Sequence, residues 1–143
     1  MKPRHVLEIR VRASDTDFMG HVYNARYADW FGVGRAEYLR MCGITVSRNA
    51  RFFLRGKPLD IAFVVSEYFV KLLAPTYFDD VLELHTYVEE LGDKSVIYRH
   101  EVYRRSDGKL VAEGYSKHVC VDSERKRAVE IPHEVAEALL GKN

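Results

Sequence analysis

Residues 24–42 read NARYADWFGVGRAEYLRMC, and the fold turns on how this stretch is read. Small or apolar residues recur at Ala25, Ala28, Gly32, Ala36 and Leu39, in steps of three and four that share one face of an α-helix. Gly43 follows as a suitable stop. Four of the five stripe residues are Ala or Gly, so this face offers little bulk and invites close approach by another element. Gly32 and Gly34 each cost roughly 1 kcal/mol relative to Ala in a helix interior, and tight packing is expected to offset that cost. The expectation is a helix from Asn24 to about Cys42, closely wrapped.

Outward from the helix, both flanks read as β-structure. HVLEIRVRA, at 5–13, alternates apolar and polar residues with one irregularity, and 14–23 is a turn-rich connection. Downstream of a basic loop at 47–57, four runs rich in β-branched and aromatic residues cover about 59–73, 80–91, 94–106 and 109–121. Pro75, Gly92-Asp93 and Asp107-Gly108 punctuate them. Turns this short make consecutive strands antiparallel. In IPHEVAEALL, Pro132 suits a first helical position, which predicts a short last helix. The pattern is α+β: an antiparallel sheet of about five strands around one long central helix. Its edge strands invite a second copy, so a homodimer or homotetramer is expected.

The 143 residues suit a single domain, 1–143. Twenty-two basic and 21 acidic residues leave a net charge of +1, so no global field recruits nucleic acid or an anionic membrane. Two cysteines, Cys42 and Cys120, make no disulfide framework and fit a reducing cytoplasm. The N-terminal MKPRHVLEIRVR lacks an apolar signal region, and the longest apolar run, IAFVV at 61–65, is far too short to span a bilayer.

DTDFMGHVYNARYADWF at 15–31, followed by RAEYLR, resembles the 4-hydroxybenzoyl-CoA thioesterase family of the hotdog superfamily. VSEYFVKLLAPTYFDDVLEL, VEELGDKSVIYRHEVYR and LVAEGYSKHVCVD continue the resemblance, which covers about 5–140. It implies a hotdog fold and an acyl-CoA thioesterase with sites at subunit boundaries and no metal or redox cofactor, coenzyme A being part of the substrate. In that family the second acid of the pair is catalytic, which is Asp17 here. The resemblance also implies an oxyanion site at backbone N–H groups around Tyr23 and Asn24. His21 joins the candidates through the Gly-His-Val pattern, beside its plainer reading as a turn or interface residue.

Thioester hydrolysis suits such a sparse site. A thiol ionises near pH ~8.5, so the leaving group departs without a strong acid. Unpaired N–H groups at a helix start, with the macrodipole, can cradle an oxyanion. Asp17 would attack the carbonyl or deprotonate a water, and Gly20 suits a turn that brings backbone close to substrate. Tyr27 and Tyr23 stand as core aromatics or pocket residues, and Phe31 as core. Asp15 is read as a structural turn residue and Asn24 also as a helix N-cap. Asp29 and Glu37 are competing helical acids whose plainer fate is ion pairing on the surface. Arg51 and Arg55, with Arg48 and Lys57, would meet the phosphates of coenzyme A. His85, His100, His118 and Cys120 lack the closely spaced pairs of a zinc site. Two other functions stay open, hydrolysis of acyl groups on an acyl carrier protein and non-catalytic acyl-CoA binding.

Overall fold

The computed structural model describes residues 2–142. β1 (His5–Arg10) leads through a 3-10 turn at Ala13–Asp15 into α1 (Asn24–Met41), the long helix expected from the sequence. β2 (Ile44–Val46), β3 (Phe52–Leu54) and β4 (Lys57–Pro58) form a small antiparallel sheet. Four long strands follow, β5 (Ile61–Leu72), β6 (Val81–Leu91), β7 (Ser95–Arg104) and β8 (Leu110–Asp122), and then α2 (His133–Leu139). All four match the sequence reading within two residues at each boundary. Their sheet has the order β1-β6-β7-β8-β5, every pair antiparallel, with β1 and β5 at the edges.

The packed face of α1 differs from the one expected. Tyr27, Trp30, Phe31, Gly34, Tyr38 and Leu39 are buried, whereas Ala25, Gly32 and Ala36 are exposed and Ala28 is half-buried. Large rings remove far more apolar area from water than Ala or Gly, at about 25 cal/mol per Å2, so the aromatic face wins the sheet. The close approach that a glycine permits occurs at Gly34, where an added Cβ would lie 2.6 Å from Thr86 Oγ1 and 2.7 Å from Leu84 Cδ2. Two residues of the small stripe, Ala28 and Gly32, instead border a groove.

Three further corrections have local causes. The basic loop 47–57 holds a strand, β3, because Phe52 and Leu54 turn inward and the Phe52 ring meets Phe63 at 5.9 Å. There is therefore a second small sheet, not one alone. β1 stops at Arg10; Leu7, Ile9 and Val11 face inward and Val6 outward, which accounts for the irregular alternation. Pro132 is the N-cap of α2, one residue before its first turn, and the Tyr38 hydroxyl donates to the Leu139 carbonyl at 2.6 Å, tying α2 to α1.

Inside the sheet two apolar clusters lie along the helix. One gathers Tyr27, Phe31, Leu82, Leu84 and Val102; the other gathers Tyr38, Val96, Tyr98, Cys120 and Leu139. Between them His100 bonds Thr86 Oγ1 at 3.1 Å through Nδ1 and Ser116 Oγ at 3.0 Å through Nε2, and its ring stacks on Phe31 at 4.4 Å. His85 lies on the outer face of the same sheet, so pleat alternation separates it from the buried pair His100 and His118.

Candidate active site

Asp15 ties the connection at 14–23 to its surroundings. Asp15 is 1% exposed and accepts from the Arg12 backbone N–H at 2.8 Å and from Arg12 Nη2 at 3.2 Å, with Arg26 Nε 3.0 Å away. Burial acts to raise this carboxyl, but hydrogen bonds from Arg12 and the charges of Arg12 and Arg26 outweigh it, leaving it below its ordinary value. Arg26 also donates to the Ser14 carbonyl at 3.1 Å, and its guanidinium lies 4.9 Å from the centre of the Tyr23 ring. The loop is thereby bound to the first turn of α1.

Asp17 stands two residues on, exposed, at the head of a tight turn. Its N–H donates to the His21 carbonyl at 2.7 Å, and its own carbonyl accepts from Gly20 at 3.0 Å. Gly20 has φ +85, a left-handed conformation that explains its place in the motif. One carboxylate oxygen, Oδ1, accepts from Met19 N–H at 2.8 Å and His21 N–H at 3.2 Å. Oδ2 has no partner among the described residues. The turn reading and the chemical reading of Asp17 thus use different oxygens.

A second loop, 73–80, forms the opposite wall. Val22 N–H donates to the Thr76 carbonyl at 2.9 Å, the Tyr27 and Thr76 hydroxyls meet at 2.6 Å, and His21 packs edge-on against Tyr77 at 5.1 Å. Between these walls is a cleft of about 310 Å3 bordered by Asp17, His21, Asn24, Tyr27, Leu72 and Pro75. Tyr27, open on sequence, is 2% exposed and serves both core and cleft.

The helix start differs in detail from the expectation. Tyr23, with φ −78 and ψ 151, is the N-cap and makes no side-chain capping bond; Asn24 is the first helical residue and not the cap. Tyr23 N–H is occupied by the Asp15 carbonyl at 3.2 Å, and Arg26 N–H by the Tyr23 carbonyl at 3.0 Å. The N–H groups of Asn24 and Ala25 meet no acceptor among the described residues, as the first positions of a helix do.

Arg51 and Arg55 lie elsewhere. Arg51 borders a depression with Ile61 at the start of β5 and pairs with Asp60 at 3.8 Å, while Arg55 N–H bonds the Gly43 carbonyl beyond the end of α1. The cleft touches Leu72, at the other end of β5. Within one chain the strand therefore separates them by roughly 36 Å at ~3.3 Å per residue. Asp29 pairs with Arg26 at 3.2 Å, and Glu37 pairs with Arg40; both are surface ion pairs. Arg26 and Thr76 escaped the sequence reading because their partners, Asp15 and Tyr27, are distant along the chain.

Comparisons with known proteins identify the family of the chain. The model of the thioesterase-like superfamily matches residues 11–139. The acyl-CoA thioesterase YbgC of Haemophilus influenzae is 31% identical over 130 residues, 91% of this chain and 90% of its own. The long-chain acyl-CoA thioesterase FadM of Escherichia coli is 27% identical over 132 residues, covering 92% and 94%. Among solved structures, a gentisyl-coenzyme A thioesterase shares 29% identity at a TM-score of 0.78, covering 94% of this chain and 99% of that one.

Proposed function

Since the chain belongs to the thioesterase-like superfamily, we propose that it is a hotdog-fold acyl-CoA thioesterase, cleaving an acyl- or aryl-CoA thioester with water to the free acid and coenzyme A. The observation that carries the reading is the cleft that Asp17 borders together with Asn24, the first residue of α1. The thioester carbonyl oxygen takes the Asn24 and Ala25 N–H groups, where charge develops as the tetrahedral intermediate forms. Asp17 Oδ2 either adds to the carbonyl carbon and expels the coenzyme A thiolate, giving a mixed anhydride that water then hydrolyses, or takes a proton from the water that attacks the carbonyl and displaces the thiolate. Oδ1 stays bound to the Met19 and His21 amides and fixes the orientation. His21 and Tyr23 shape the turn and the cap, and no metal is required.

Two copies complete the site in this reading. β5 is a 12-residue edge strand with Val64, Val65, Tyr68, Phe69 and Leu72 all at least 44% exposed, an edge that favours pairing. Antiparallel pairing of two β5 strands turns the start of one toward the end of the other. The basic loop of one copy, with Arg51 and Arg55, then faces the cleft of its partner, where the phosphates of coenzyme A emerge. No helix among the described residues is long and apolar enough to cross a membrane, and a cytoplasmic site of action fits the two free cysteines.

Thiol release from a panel of acyl-CoA substrates tests the assignment. Asp17→Asn is expected to keep the wild-type melting profile while hydrolysis falls by orders of magnitude. Near-normal turnover in that variant would remove Asp17 from the chemistry.

A further inference from the structure

The two working parts of the cleft come from different elements. Asp17 is presented by a turn, whereas the Asn24 and Ala25 amides belong to α1. Chemistry with so few groups depends on how they are placed relative to one another, since a misplacement of about 1 Å can cost on the order of 100-fold in rate. A third segment, the loop 73–80, touches both parts through one residue. The Thr76 carbonyl accepts from Val22 N–H at 2.9 Å, and the Thr76 hydroxyl meets the Tyr27 hydroxyl at 2.6 Å. Val22 follows His21, whose carbonyl accepts from Asp17 N–H at 2.7 Å and whose N–H donates to Asp17 Oδ1 at 3.2 Å. Tyr27 lies three residues after Asn24, a spacing that puts both on one side of the helix.

The loop has anchors of its own, which make Thr76 a fixed point. Leu73 and Ala74 N–H donate to the Val111 carbonyl on β8 at 2.9 and 3.1 Å, Arg104 Nη1 on β7 donates to the Pro75 carbonyl at 3.2 Å, and Asp79 N–H donates to the Val11 carbonyl at 2.9 Å. Thr76 is 1% exposed, and the cleft is bordered by its neighbours from Leu72 to Pro75 and not by Thr76 itself. Packing alone does not call for the hydroxyl pair. Val in place of Thr and Phe in place of Tyr would fill the same buried space with no polar atom to satisfy, an exchange that is nearly neutral when both partners are replaced together. Burial raises the Tyr27 phenol above its ordinary value, so it keeps its proton and the contact persists through the neutral range.

We propose that Thr76 is a positioning residue for the hydrolysis: its carbonyl holds the Asp17 turn, its hydroxyl holds the start of α1, and together they set the attacking carboxylate at a fixed distance from the oxyanion amides. The inference rests on the thioesterase reading for the reaction that is being positioned. Because Thr76 lies behind the cleft wall, its loss is felt in the chemical step and not in the affinity for substrate.

A double-mutant cycle separates this role from a contribution to stability. Thr76→Val and Tyr27→Phe each leave one buried hydroxyl unpaired and are expected to lower the melting temperature, whereas the double variant leaves none and is expected to melt near wild type. The rate is expected to part from the stability. For an acyl-CoA that wild type hydrolyses, kcat falls by about 10- to 100-fold in each single variant and stays as low in the double, with KM and the pH profile little changed. Thr76→Ser, which keeps the hydroxyl, is expected to restore kcat. Recovery of kcat together with the melting temperature in the double variant, a loss carried by KM alone, or wild-type kcat in Thr76→Val would overturn the proposal. Amide hydrogen exchange reads the same hold without turnover. The Val22 amide is expected to exchange faster in Thr76→Val and in the double variant, with Leu73 and Ala74 unchanged; unchanged exchange at Val22 would discard the proposal whatever the activity. Faster exchange in a protein whose wild type hydrolyses no acyl-CoA would uphold the hold on the turn and discard the hydrolase reading.

Discussion

Only Thr16 intervenes between Asp15 and Asp17, yet one carboxylate is 1% exposed among two arginines and the other is open at a cleft. The division of labour assigns stability to Asp15. Its folded pKa is depressed, so its contribution is present above the ordinary aspartate value near ~3.9 and is lost as pH falls through the lower folded value. Asp15→Asn is expected to lose roughly 1–3 kcal/mol at pH 7, with the gap to wild type closing in strong acid; denaturant titrations at several pH values measure it. A gap unchanged across that range would show that the charge does not hold the loop. Both acids were legible as a motif, but the burial that separates their roles was not, because Arg26 reaches Asp15 from 11 residues away.

At the scale of the element, α1 carries two glycines with opposite meanings. Gly32 faces open space, and Gly34 faces Leu84 and Thr86, both wholly buried. Gly32→Ala is expected to stabilise the protein by up to about 1 kcal/mol through helix propensity alone. Gly34→Ala gains the same propensity but forces helix and sheet apart, with a net loss expected at about 1–3 kcal/mol. Thermal melts of the two variants, run side by side, check the opposite signs. The helix itself was readable from its 3.6-residue period. Its buried face was not, since NARYADWFGVGRAEYLRMC offers a small stripe and an aromatic stripe, and only a sheet shows which of them is pressed against it. The strand in the basic loop was hidden likewise, by arginines flanking two inward residues, Phe52 and Leu54.

For the whole molecule, the long unpaired edge at β5 and the distance between basic loop and cleft lead to the same expectation. Light scattering at micromolar concentration is expected to give a mass of at least two chains, and a monomer would remove the shared site. KM for acyl-CoA is expected to rise steeply with added salt, and Arg51→Gln is expected to flatten that dependence; salt-independent kinetics would detach the loop from the phosphates. The amino-acid order by itself determined the long helix, the four long strands and their antiparallel sense, and the turn that presents Asp17 ahead of a helix, because these depend on residues close in the chain: hydrophobic period, glycine and proline at turns, short connections. Tertiary structure alone decided which face of α1 is buried, which amides remain open, and that Thr76 meets Tyr27, 49 positions away. Those outcomes depend on competition for buried area and on contacts between distant segments, which no local pattern encodes.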